Sequence, residues 1–179
     1  MTVEIRARRP ADIPALAEVL FAQQPTSRYP FRNPLPIPVE QFLHADDAVA
    51  AWTAELDGRP MGHACYTRTR GGFPGASEMN QACALAHGCD AEELAWITAL
   101  FVDDARRGLG IGRRLLGAVV DDIRASGLHP SLEVLPIHPG ALSLYRSTGW
   151  REVMSLRPEW LGEEGPDVLV MVLPDESRG

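Results

Sequence analysis

Residues 100–116 read Leu-Phe-Val-Asp-Asp-Ala-Arg-Arg-Gly-Leu-Gly-Ile-Gly-Arg-Arg-Leu-Leu, and no other stretch so restricts what this chain can fold into. An apolar run ends at an acidic pair, glycines alternate at 108, 110 and 112, and an apolar period of about 3.6 residues begins at once. The pattern predicts a buried strand, a tight basic turn and an amphipathic helix in direct succession. Without Cβ atoms, Gly108, Gly110 and Gly112 let the turn's N–H groups converge on one point. The helix start adds N–H groups with no intrahelical acceptor and the positive end of the helix dipole. Such a device suits a phosphate.

Two common phosphate loops are excluded. A Walker A loop needs a lysine to reach the phosphates, and all 17 basic residues of this chain are arginine. A dinucleotide fingerprint needs a third glycine three positions after the second; that position holds Arg113, and the turn lies past the middle of the chain. What remains is Arg107-Gly108-Leu109-Gly110-Ile111-Gly112: an arginine, two free positions, a glycine, one free position and a glycine. About thirty residues later comes His138-Pro-Gly-Ala141-Leu-Ser-Leu144-Tyr145-Arg-Ser-Thr-Gly149-Trp150. The two motifs, in this order and at this distance, resemble those of the GNAT superfamily of coenzyme A-dependent N-acetyltransferases. There the first loop holds a pyrophosphate and the second follows N-x-x-A-x-x-L-Y-x-x-x-G-F. Ala141, Leu144, Tyr145 and Gly149 match that spacing, Trp150 replaces phenylalanine, and His138 stands where asparagine is usual. The resemblance is specific over residues 96–154 and architectural outside them.

The resemblance implies a mixed α/β GNAT fold: a central, mostly antiparallel, twisted sheet flanked by helices and splayed where acetyl-CoA binds. It implies acetyl-CoA as co-substrate and direct attack by a primary amine of a small molecule or peptide in a ternary complex. Backbone N–H groups of Phe101 and Val102 would hold the thioester carbonyl, and those of Arg107, Gly108, Leu109, Gly110, Ile111 and Gly112 the pyrophosphate. The pantetheine arm would lie along Val102 and across Ala141 and Leu144, with His138 as a further coenzyme contact. Tyr145 matches the tyrosine near the coenzyme sulfur that acts as general acid. A phenol near pKa 10 is a weaker acid than a thiol near 8.5, so its use would lie in hydrogen-bonding the departing thiolate.

A lysine-type ammonium lies about 3.4 pH units from its nucleophilic form at pH 7, roughly 4.6 kcal/mol, so a base is required. Glu93 is the base expected here, at the start of the strand that leads to the site, and His138 is a second group that titrates near neutrality. Glu92, Asp103, Asp104 and Glu133 are further candidates. His63 reads as a packed or exposed strand residue rather than a catalyst. A non-catalytic acyl-CoA-sensing module of the same fold is the alternative from a different functional class.

The 179 residues suit a single domain spanning 1–179. No apolar run approaches the roughly 20 residues that span a bilayer, and three cysteines cannot form a fully paired disulfide framework, so the expected compartment is a reducing cytoplasm. A net charge of −7 argues against nucleic acid, and neither a membrane nor a metal is expected as a partner. Coenzyme A is also polyanionic, so the attraction must be local, from Arg106, Arg107, Arg113 and Arg114. Homodimers are common in such proteins.

Periodicity predicts strands at 3–8, 48–56, 61–70, 93–102, 132–135 and 168–173, and helices at 11–22, 39–43, 111–126 and 139–147. Residues 57–60, Asp-Gly-Arg-Pro, are read as a hairpin turn. Residues 71–91, glycine-rich at the start, are read as a long loop, either a substrate-side flap or a plain surface insertion. Cys83, His87 and Cys89 within it match no recurrent zinc spacing. Trp52, Trp96, Tyr29, Phe31 and Phe73 are the aromatic residues available to an acceptor pocket, with core packing the better reading for the two tryptophans.

Overall fold

A computed structural model describes residues 2–45, 47–163 and 165–175. In chain order they form β1 (Val3–Ala7), α1 (Ile13–Ser27), α2 (Val39–His44), β2 (Ala48–Leu56), β3 (Arg59–Thr67), α3 (Ala76–His87), β4 (Leu94–Val102), α4 (Ile111–Ala125), β5 (His129–Val134), α5 (Pro139–Ser147), β6 (Arg151–Leu156) and β7 (Val168–Val172). The strands hydrogen-bond in the order β1-β2-β3-β4-β5-β7-β6. β1–β2, β5–β7 and β6–β7 are antiparallel. β4 and β5 are parallel, Leu94–Ile97 facing His129–Leu132, and α4 supplies the crossover that a parallel pair requires. This is the expected fold class.

Contacts group the chain into two units, one of residues up to Tyr66 together with Thr98–Asp121, the other of Thr67–Ile97 with the residues from Asp122 on. In the first, α1 places Ile13, Leu16 and Leu20 on one stripe, packed with Leu43 of α2 and Phe101 of β4. The helix begins after a 3-10 turn whose Asp12 carboxylate accepts the Arg9 N–H at 2.8 Å. It runs five residues past the expected end, carrying Pro25 inside its last turns at the loss of one i→i−4 bond, and stops at Arg28 with φ +60°. The β2–β3 turn is tighter than expected. Asp57 (φ +49°) and Gly58 (φ +83°) form it alone, the left-handed pair that matches strand twist, and Arg59 and Pro60 already belong to β3.

In the second unit, two expectations need correction. Residues 71–91 are not a long loop, because α3 occupies Ala76–His87 between Gly75 and a left-handed Gly88. Ala76, Met79, Cys83 and Ala84 recur at helical spacing, and the last three bury against Leu94, Trp96, Val170 and Val172. The segment is a core helix, not a flap. β6 was not expected at all. It ends the strand order, and an irregularity between Glu152 and Met154 breaks the alternation that would have announced it. α5 has the expected bounds and β7 ends one residue early.

Candidate functional site

The glycine turn stands at the head of α4. Asp103 closes β4: its N–H donates to the Met61 carbonyl at 2.8 Å and its carboxylate accepts the Ala105 N–H at 3.0 Å. A 3-10 turn over Asp104–Arg106 follows, then Arg107 returns to extended geometry. Gly108 and Gly110 have φ of +81° and +72°, and a Cβ at either would meet nothing within 4 Å. Glycine is therefore required here by conformation, since a left-handed L-residue costs about 1–2 kcal/mol. The first α4 bond of this turn runs from the Arg114 N–H to the Gly110 carbonyl at 3.1 Å. Ile111 and Gly112 precede it, in the turn where a helix supplies its own amides with no acceptor. Leu109, Gly108, Arg107 and Arg106 are exposed. Arg107 pairs with Asp104, and with half of its side chain in water that pair is worth about 0–1 kcal/mol. It leaves the loop backbone facing solvent.

Upstream, β4 is turned at Ala99, which has φ +51° inside the strand. Phe101 is buried and Val102 half-buried. Behind them lies His63, fully buried, with Nδ1 3.0 Å from the Ala99 carbonyl oxygen and its ring stacked on Phe101 at 5.6 Å. Burial holds this imidazole down at about pKa 4, so it is neutral at physiological pH. His63 is packed, as its strand position suggested, yet it touches the backbone that leads to the glycine turn.

In the second unit, α5 starts at Pro139 with His138 as its N-cap residue. The His138 side chain makes no capping bond, while its carbonyl accepts the Leu142 N–H at 3.0 Å. Ala141 and Leu144 are half-buried and Tyr145 is buried, its ring tilted against Trp150 at 5.9 Å. No described residue hydrogen-bonds the Tyr145 hydroxyl, and burial alone pushes this phenol well above its ordinary range. A phenol held in this way keeps its proton, and its hydroxyl has a donor to offer.

The carboxylates expected to serve as base are mostly engaged. Glu93 lies in a 3-10 turn just before β4, exposed, and its carboxylate accepts the Asp90 N–H at 2.9 Å in a capping box. That turn is the Asp90-x-x-Glu93 pattern, a capping signal present in the sequence, and the strand begins one residue after it, at Leu94. Glu133 pairs with Arg70, Asp104 with Arg107, and Asp103 caps its turn. Trp96 is core and donates to Asn80 at 3.1 Å; Trp52 stacks on Tyr66. Cys83 is buried and its thiol pushed up to about 11. Among the described residues no group of three or more His, Cys, Asp and Glu is placed to hold a metal, and no helix is long and apolar enough to cross a membrane.

The sequence model of the acetyltransferase (GNAT) family matches residues 15–150. The N-alpha-acetyltransferase RimI of Mycobacterium tuberculosis is 41% identical over 70 residues, 39% of this chain and 42% of that protein. The chain spans only 20–42% of the length of the curated relatives it matches. Among solved structures, a ribosomal-protein-alanine N-acetyltransferase from Brucella melitensis superposes with a TM-score of 0.68 at 24% identity, over 94% of this chain and 98% of that one. A structure from Salmonella typhimurium determined with its cofactor acetyl-CoA gives a TM-score of 0.66 at 16% identity, over 100% and 97% of the two chains. At these identities the structural likeness speaks for the fold.

Proposed function

This chain belongs to the GNAT acetyltransferase family, and on that premise we propose that it transfers the acetyl group of acetyl-CoA to a primary amine of a small molecule or peptide. The observation that carries the reading is the pair of left-handed glycines at the head of α4, which leaves the amides of residues 108–112 open to an anion, next to an Arg107 N–H already held by the Asp104 carbonyl at 3.3 Å. In this account those amides take the coenzyme's pyrophosphate and the Phe101 and Val102 N–H groups the thioester oxygen. Val102, Ala141, Leu144 and His138 contact the pantetheine arm. The amine nitrogen attacks the thioester carbon, negative charge gathers on oxygen, and the carbon–sulfur bond breaks to release the thiolate. Tyr145 donates a hydrogen bond to that sulfur and keeps its proton, while the proton leaving the amine passes through water to Glu93 and returns through solvent to the thiolate as the coenzyme thiol forms.

The acceptor best supported is the α-amino group of a peptide. The curated relative with a named activity is an N-alpha-acetyltransferase, and the chemistry agrees. An α-amine titrates near 7.7–8.0, so freeing it at pH 7 costs about 1 kcal/mol, against roughly 4.6 for a lysine side chain. A site whose carboxylates are largely occupied suits the less demanding amine. Glu93, acting through water, is the base in this reading. A non-catalytic acyl-CoA-binding role is favoured by one observation, the capping of the Asp90 N–H by the Glu93 carboxylate.

The experiment is thiol release from acetyl-CoA over a panel of peptides, with acetylated and free N-termini and with lysine side chains. Release that needs a free N-terminus is expected. Release with lysine alone would overturn the acceptor assignment, and acetyl-CoA binding without release over the panel would favour the non-catalytic role.

A further inference from the structure

Three consecutive residues of β3 meet Ala99 and Phe101 of β4 and Asp103 just past its end. The Met61 carbonyl accepts the Asp103 N–H at 2.8 Å. Gly62 has no side chain, and a Cβ there would lie 3.1 Å from the Phe101 carbonyl oxygen. His63 reaches the Ala99 carbonyl oxygen at 3.0 Å and stacks on the Phe101 ring. Ala99 is the left-handed residue of β4, and such a residue turns its peptide out of the ladder direction. The imidazole donates to the carbonyl of this turned residue and so satisfies a buried acceptor there.

The tautomer follows from the neighbours. A carbonyl accepts only, so Nδ1 carries the proton. Nε2 is then an acceptor, and it faces the Arg8 guanidinium at 3.4 Å. Arg8 is itself held by the Leu43 and His44 carbonyls at the end of α2. A doubly protonated ring would set Nε2–H against that guanidinium. The histidine is thus wedged between a fixed cation and a turned carbonyl, with no proton left to exchange with a substrate.

We infer that His63 is a positioning residue for acetyl transfer: by donating to the Ala99 carbonyl and stacking on Phe101, it fixes the turned segment of β4 that presents the Phe101 and Val102 amides. This rests on the acetyl-CoA reading above. His63 does not act as the base, and its value lies in the hydrogen bond from Nδ1. Asparagine carries a donor at nearly the same reach, glutamine carries it one bond further out, and leucine carries none.

The test uses the carbonyl signal of acetyl-CoA labelled with 13C at the acetyl carbonyl, bound to the full chain. Native protein is expected to shift this signal downfield as the thioester oxygen accepts backbone hydrogen bonds. His63→Leu is expected to bind coenzyme A within about threefold of native while the carbonyl signal moves back toward its free position. Its kcat is expected to fall about tenfold or more at nearly constant KM for acetyl-CoA. His63→Asn is expected to restore both, even where its melting temperature is lowered by lost packing. A native carbonyl shift and kcat in His63→Leu would overturn the inference while leaving the acetyl-CoA reading intact. Should the leucine variant not fold, His63→Gln against His63→Asn makes the same comparison, and equal shifts in the two would overturn it. Failure of native protein to bind acetyl-CoA would remove both the inference and the reading beneath it.

Discussion

Replacing Tyr145 with phenylalanine should move activity and stability in opposite directions. The change removes one oxygen and leaves the ring in place against Trp150, so packing is conserved. In a structural tyrosine the lost hydroxyl bond would cost about 0.5–1.5 kcal/mol. Here no described residue bonds that hydroxyl, and the residue is only 7% exposed. Folding therefore gives the hydroxyl no protein bond that phenylalanine would forfeit. Phenylalanine should be neutral or stabilising by up to about 1 kcal/mol, or a rise of up to about 4 °C in melting temperature for a chain of this length. Turnover should fall, because the departing thiolate loses its donor; removing such a group typically costs about 100-fold or more. Acetyl-CoA affinity should hardly change, since the donor matters once charge reaches sulfur. The measurements are thiol release at saturating substrates and thermal unfolding without ligand. A kcat within about twofold of native would sink the role. A melting temperature several degrees lower would mean that the hydroxyl is a structural group after all.

Three further outcomes follow from the fold. The Asp12 carboxyl is held down at about 2, chiefly by hydrogen bonds from Arg6, with burial opposing and the Arg9 N–H assisting. Because the folded value lies below the free value near 3.9, this contribution is complete above about pH 4 and lost as pH falls toward 2; it amounts to about 2 kcal/mol. Asp12→Asn should lower stability at pH 7 by about that much and flatten the pH 4 to 2 limb in denaturant titrations, and an unchanged limb would refute the assignment. Gly62→Ala should destabilise by about 1–3 kcal/mol, since its Cβ would meet Leu115 Cδ1 at 3.0 Å, the Phe101 oxygen at 3.1 Å and Ala54 Cβ at 3.3 Å; an unchanged melting temperature would show that β3 and β4 yield freely there. Gly117→Ala lies in α4 with nothing within 4 Å of the new Cβ, so it should stabilise by about 0.5–1 kcal/mol, and a loss would contradict the open space described at that helix face.

The parts that sequence reading recovered are those whose signal is local. The change from apolar run to alternating glycines to helical period placed β4, the turn and α4, and Pro139 with Gly149 bracketed α5. α3 was missed because Gly71 and Gly72 and two cysteines drew attention from four small or apolar residues at helical spacing. β6 escaped because a strand with one irregular step and mostly exposed residues has no clean period. At Glu93 the residue is legible in the sequence but its engagement is not: the capping box it completes with the Asp90 N–H shows only in the folded turn. The contact His63 makes could not be read from the sequence. Its meaning depends on a left-handed Ala99 that lies 36 residues away, and alanine gives no warning of such a conformation.

The central claim is that the turn at residues 107–112 binds the coenzyme, and thermal unfolding with and without acetyl-CoA tests it most directly. A ligand at about a hundred times its dissociation constant adds roughly 2.7 kcal/mol, which for a chain of this length is a rise of about 5–10 °C. Gly110→Glu places a side chain at a φ of +72° and a negative charge beside the amides that would hold the pyrophosphate. The account predicts a rise in the native chain that vanishes in the variant while the variant still unfolds cooperatively. No rise at millimolar acetyl-CoA, or an equal rise in Gly110→Glu, would contradict it.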